Sequence, residues 1–259
     1  MKVKNILVSQ PEPADIEKSP YGELCRKYNV KIDFYKFIKI EGISAKEFRM
    51  AKGSFHGHTA VIMTSRHSVD HFFRMAQELR YEVPDSLKYF CISESTAYYL
   101  QKYVQYRKRK IFHGKQNFID LLDVIKKHRE EIFLLPSSNI HKQSIFKMLD
   151  AEKISYTKAI IYKTVASNLS HLEIDKYDIM IFFSPAGIHS LKSNFPEYEQ
   201  GERLIAAFGK TTAKAVKDAG LRLNIPAPTQ SAPSMSMAVE EYLTKLARMN
   251  RKNGRNGKK

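Results

Sequence analysis

The sequence has no tryptophan and only two cysteines, Cys25 and Cys91, so neither a disulfide framework nor a cysteine-rich metal site is on offer. Cys25 falls in a helical pattern beside Leu24 and Cys91 inside a strand pattern, and both read as small buried hydrophobes. No apolar run approaches the 18 or so residues of a membrane span. Met1-Lys-Val-Lys leads into a strand rather than a signal-peptide core, so the expected location is the cytoplasm, with no membrane partner. Acidic residues are few, 27 against 43 Lys and Arg, for a net charge of +16. Six of the basic residues lie in Arg248-Met-Asn-Arg-Lys-Asn-Gly-Arg-Asn-Gly-Lys-Lys259, which leaves about +10 (16 minus 6) on the rest. Such a surface attracts anions, whether nucleic acid, an anionic membrane or a polycarboxylate small molecule, and charge alone does not choose among them.

What is present is a repeat. Tyr177-Asp-Ile-Met-Ile-Phe-Phe-Ser184-Pro185 reads as a strand buried on both faces, stopped by a Ser N-cap with Pro at the first helical position. The same unit occurs earlier as Ala60-Val-Ile-Met-Thr-Ser65 followed by a helical pattern. Each copy is followed by a second matched unit, Tyr89 to Ala97 and Leu204 to Ala213, and preceded by a βαβ pattern starting at Asn5 or Glu131. Self-similarity at roughly 120 residues is too long for a solenoid and indicates a duplicated α/β domain with parallel sheets and right-handed crossovers. Helices are expected at 14–28, 44–52, 94–103, 140–152 and 234–249, and strands at Tyr177, Leu204 and Leu221. Long extended stretches at 30–43 and 154–166 are candidates for two strands linking two domains.

Several shorter patterns fall short of a motif. Gly209-Lys-Thr-Thr212 ends like a phosphate-binding loop, but the required earlier glycine is Leu204. His67 and His71 lie one helical turn apart near His56 and His58, with no adjacent Glu, and read as a solvated face rather than a metal site. Tyr98, Tyr99, Tyr103 and Tyr106 beside Arg107-Lys-Arg-Lys110 support an alternative reading as a basic nucleic-acid-binding protein, although no specific nucleic-acid module is visible.

Ile181-Phe-Phe-Ser-Pro-Ala-Gly187, Ile205-Ala-Ala-Phe-Gly-Lys-Thr-Thr-Ala213 and Ile161-Tyr162-Lys-Thr164, in this order and spacing, resemble the uroporphyrinogen-III synthase family over nearly the whole chain. The resemblance implies two flavodoxin-like parallel-sheet domains, duplicated and segment-exchanged, joined by a two-stranded linker. Residues 1–37 and 168–247 would form domain 1, residues 38–167 domain 2, and 248–259 a disordered basic tail. It further implies a monomeric hydro-lyase of haem biosynthesis, without cofactor or metal, that cyclises hydroxymethylbilane, a linear tetrapyrrole with eight carboxylates, inverting the last pyrrole ring. A transient contact with hydroxymethylbilane synthase is compatible with that role. Tyr162 matches the family's functional tyrosine, whose phenol would donate a proton to the leaving hydroxyl or hydrogen-bond it. Ser65, Thr96, Ser184, Thr212 and Ser234 stand where helix N-termini would receive carboxylates. The family often has Thr where this chain has Ser234, which keeps both a hydroxyl and N-cap competence.

Overall fold

In the computed structural model, which describes residues 2–140 and 143–256 with side chains through residue 249, the chain divides into two compact units. One comprises residues 1–39 and 165–259, the other residues 40–164. The elements of the first are β1 (Asn5–Val8), α1 (Pro20–Tyr28) and β2 (Lys31–Phe34), resumed much later. The second follows with β3 (Ile38–Gly42), α2 (Ala45–Met50), β4 (Ala60–Met63), α3 (Arg66–Leu79), β5 (Lys88–Cys91), α4 (Glu94–Leu100), β6 (Ile111–His113), α5 (Phe118–Ile125), β7 (Phe133–Ser138), α6 (Gln143–Ala151) and β8 (Tyr156–Ala166). The first unit is then completed by β9 (Ile179–Phe182), α7 (Pro185–Asn194), β10 (Leu204–Phe208), α8 (Lys210–Asp218), β11 (Ile225–Ala227) and α9 (Met235–Asn256). Among the described residues no helix is long and apolar enough to cross a membrane.

The first unit's sheet has the order β11-β10-β9-β1-β2, with every pair parallel. Ile6 sits opposite Ile179, so the opening βαβ of the chain shares a sheet with the repeat's later strands. The second unit's sheet runs β3-β8-β7-β4-β5-β6, and here the late-starting βαβ (β7, α6, β8) joins the earlier strands. In both, renumbering by position gives the doubly wound order 2-1-3-4-5, with β3 added at one edge of the second. The chain passes between units within β3 and again within β8. These neighbours are antiparallel, since Ser167 N donates to Phe37 O (2.9 Å) while Ile43 N donates to Ile161 O (3.2 Å).

Alternation along each strand builds one core per face. In the first unit Ile6, Val8, Ile179 and Ile181 pack with Leu24, Val239 and Leu243 of α1 and α9, while Leu7, Met180 and Phe182 pack with Leu191 and Val216 of α7 and α8. In the second, Val61 and Met63 meet Phe72 and Met75 of α3, and Ala60 and Ile62 meet Leu121 and Ile125 of α5. β4 and β9 are buried at every residue, as their unbroken apolar runs require.

Three element expectations need correction. Helix α1 starts at Pro20, because Ser19 caps Gly22 N and the two prolines at 11 and 13 precede a loop. The third late strand is Ile225–Ala227, not at Leu221: Leu221 N bonds to Val216 O and Gly220 takes φ +72°, so the apolar Leu221 closes the end of α8. Helix α9 runs to Asn256, so residues 248–256, expected to be disordered, have helical backbone; 257–259 lie outside the described residues.

Candidate functional site

In the second unit, β4 ends at Met63 and Ser65 takes the N-cap of α3. Its Oγ accepts from Ser68 N (3.1 Å), and Ser65 N donates to Ser68 Oγ (3.0 Å), a reciprocal capping box that fixes the turn. β8 pairs with β7 in regular register as far as Ser137 opposite Ile160, then skips, so that Ser138 faces Tyr162 and Ile161 is the extra residue. A bulge of this kind re-aims the side chains beside it. Thr64 and Ser65 after β4, Ile92 after β5, Ser137 and Ser138 of β7 and Tyr162 of β8 line a cavity of about 240 Å³, closed by Phe146 of α6. It lies at the C-terminal ends of the strands, where the order switches between β7 and β4, the usual ligand position in such sheets.

Tyr162 is 7% exposed. Burial pushes its phenol above the ordinary tyrosine range, and a hydrogen bond with the Ser65 side chain pulls the other way. One ring face stacks on His71, with centroids 5.0 Å apart and planes 17° from parallel. His71 is held in turn by Arg74, whose Nε donates to His71 Nδ1 (3.2 Å) and whose guanidinium also donates to Ile161 O (2.9 Å) and pairs with Glu78. A nitrogen accepting from Arg74 carries no proton, and burial, with Arg74 and then His67, lowers the His71 pKa below its ordinary value. The guanidinium lies against the backbone of Gly42, where an added Cβ would strike it.

The other expected residues sit as follows. Thr96 is 4% exposed in the first turn of α4, its N–H directed to Ser93, and Ser93 rather than Thr96 supplies the cap. It does not line the Tyr162 cavity. In the first unit Ser184 caps α7 through Gly187 N (3.3 Å), Thr212 is 1% exposed in the first turn of α8, and Ser234 caps α9 through Met237 N (3.2 Å). These three follow β9, β10 and β11, adjacent strands, at one edge of that sheet. Gly209, at φ +84°, begins α8 without a side-chain cap, leaving its first N–H groups to other partners. Of the six residues, Ser65 and Tyr162 line this cavity of the second unit together.

Residues 19–236 match the family model described as Uroporphyrinogen-III synthase HemD. The chain belongs to the uroporphyrinogen-III synthase family. Membership makes it an enzyme of porphyrin and haem biosynthesis. No curated protein matches it. Among solved structures, the uroporphyrinogen-III synthetase of Helicobacter pylori has the same fold, with a TM-score of 0.56 at 16% identity over 93% of this chain and 99% of that one. A mutant uroporphyrinogen III synthase from the extremely thermophilic bacterium Thermus thermophilus matches with a TM-score of 0.47 at 12% identity over 95% and 99%.

Two parts of the site escaped the sequence reading. Ser137 and Ser138 had a usable signal, a polar pair ending the apolar run Ile132 to Leu135, in the same place as Ser65 and Ser184. The His71–Arg74 support had none, because it depends on β8 crossing α3. The cysteines carry no chemistry here: both are free thiols, and burial pushes Cys91 up to about 12.

Proposed function

We propose that the chain converts hydroxymethylbilane into uroporphyrinogen III and water, a cyclising hydro-lyase reaction. The observation that carries this reading is the buried Tyr162 phenol beside Ser65 on the strand-end cavity, in a chain of this family. Like any tyrosine it holds its proton at neutral pH, and its place on the cavity makes that proton available to the departing hydroxyl. Loss of that hydroxyl as water leaves an electrophilic azafulvene. Attack through the substituted carbon of the far pyrrole ring gives a spiro intermediate, whose cleavage and reclosure invert that ring. Hydroxymethylbilane left alone closes without inversion, so the protein's main task is to hold a flexible polyanion in one conformation.

The capped helix starts at Ser65, Ser184 and Ser234 supply hydroxyls and N-terminal helix charge to carboxylates. Thr96 and Thr212, nearly inaccessible, act by shaping the first turns of α4 and α8 and through their backbone. We place the enzyme in the cytoplasm as a monomer, receiving its unstable substrate from hydroxymethylbilane synthase by transient contact. The test couples the purified protein to hydroxymethylbilane synthase, oxidises the products and separates the isomers. Type III uroporphyrin in excess of type I is expected; type I alone, at the rate seen without the protein, overturns the proposal.

A further inference from the structure

A second cavity, of about 400 Å³, opens at the other edge of the six-stranded sheet. Its lining includes Leu87 and Lys110, which immediately precede β5 and β6, whereas the Tyr162 cavity lies beyond the strands' C-terminal ends. One wall is aromatic. Phe73 and Tyr103 are stacked at 4.4 Å with planes 2° apart, and Tyr89 lies next to Phe73 at 6.3 Å and 29°. Tyr103 cannot swing away, since its hydroxyl donates to Asp70 Oδ1 (2.8 Å) while Tyr99 holds the other oxygen of that carboxylate (2.9 Å). Yet the Tyr103 side of the wall is left open, at 43% exposed.

The charged lining is unequal. Arg107 and Lys110 both line the cavity and neither has an ion pair among the described residues; Asp85 is the single acid. The net charge is +1 (two cations less one anion), which suits a monoanion. A fixed aromatic wall favours a flat ring through offset stacking, and a guanidinium takes a carboxylate with two parallel hydrogen bonds. The volume falls within the range of small-molecule sites. No histidine or cysteine lines it, so the lining suits recognition rather than chemistry.

We propose that this cavity binds a small aromatic monocarboxylate, its ring on the Phe73–Tyr103 wall and its carboxylate on Arg107 and Lys110. The probe is 3-phenylpropionate, titrated into the full chain by calorimetry beside its uncharged and cationic analogues, 3-phenylpropan-1-ol and 3-phenylpropylamine. The acid should bind saturably and the alcohol and amine at least about tenfold more weakly. Arg107→Gln should weaken the acid by about tenfold, while Arg129→Gln, on an exposed site elsewhere, should leave it unchanged. Both are surface changes, and circular dichroism verifies that each variant is folded. Absence of saturable binding by the acid, equal binding of the alcohol or the amine, or an affinity indifferent to Arg107→Gln would each overturn the assignment.

Discussion

The Tyr162 ring lies nearly flat on the His71 imidazole, and that imidazole accepts a hydrogen bond at Nδ1 from Nε of the Arg74 guanidinium. The stack joins strand β8 to helix α3 and fixes the direction in which the phenol points. A proton donor must be aimed before its acidity matters.

Removing the phenol oxygen tests the donor role. Tyr162→Phe keeps the stack and should lower turnover by ~10²-fold, since one general acid typically contributes that much. The product should stay mainly type III, because conformational control is spread over many contacts. Tyr156→Phe, on the same strand with its hydroxyl bonded to Asp150, should be nearly silent in the same coupled assay. Full turnover by Tyr162→Phe would leave positioning alone to explain the rate.

His71 titrates below its ordinary value near 6.5, so protonation is easier in the unfolded chain than in the folded one. Its contribution to stability is therefore complete above 6.5 and declines as the pH falls through the lower folded value. Thermal unfolding scanned from neutral to acid pH should show this decline, and His71→Gln should reduce it. An identical profile in the variant would show that other groups govern that range.

Ser65→Asp separates capping from binding. Aspartate caps a helix as well as serine and its charge suits the N-terminus, so stability should change by no more than about 0.5 kcal/mol. A carboxylate placed there repels a polycarboxylate substrate, and the apparent KM should rise at least about tenfold. Unchanged KM would place the substrate's carboxylates elsewhere.

If exposed Lys and Arg hold the carboxylates, the apparent substrate affinity should weaken steadily as salt is raised, since the Debye length shortens from ~10 Å at 0.1 M to ~3 Å at 1 M. A flat response would assign the binding to backbone N–H groups at the helix starts.

Much of the architecture was legible because burial on both faces leaves an unbroken apolar run, and a Ser after it marks the turn into a helix. Ala60–Met63 before Ser65 and Ile179–Phe182 before Ser184 carry that signature twice, and the segment exchange that the resemblance implies is seen in the pairing of β1 with β9. Leu221 misled because an apolar residue closing a helix end looks like the start of a strand. His71 misled for another reason: its helix spacing is that of a solvated face, and only the arrival of β8 covers it. The cavity-lining Ile145 and Phe146 of α6 carried no signal in the sequence, since nothing local distinguishes a residue facing a cavity from one facing a neighbour.

The exchange of segments has a consequence in time. Residues 40–164 are contiguous, and their sheet can close as soon as β8 has left the ribosome. Strands β1 and β2 emerge earlier but can pair only with each other until β9, more than a hundred residues later, reaches the open edge of β1. Through that interval they present unpaired edges and apolar faces, Ile6, Leu7 and Val8 among them, that the finished molecule hides completely. Strands made before the second unit are thus among the last to settle, and a nascent chain stalled between β8 and β9 would carry a finished second unit and a half-built sheet.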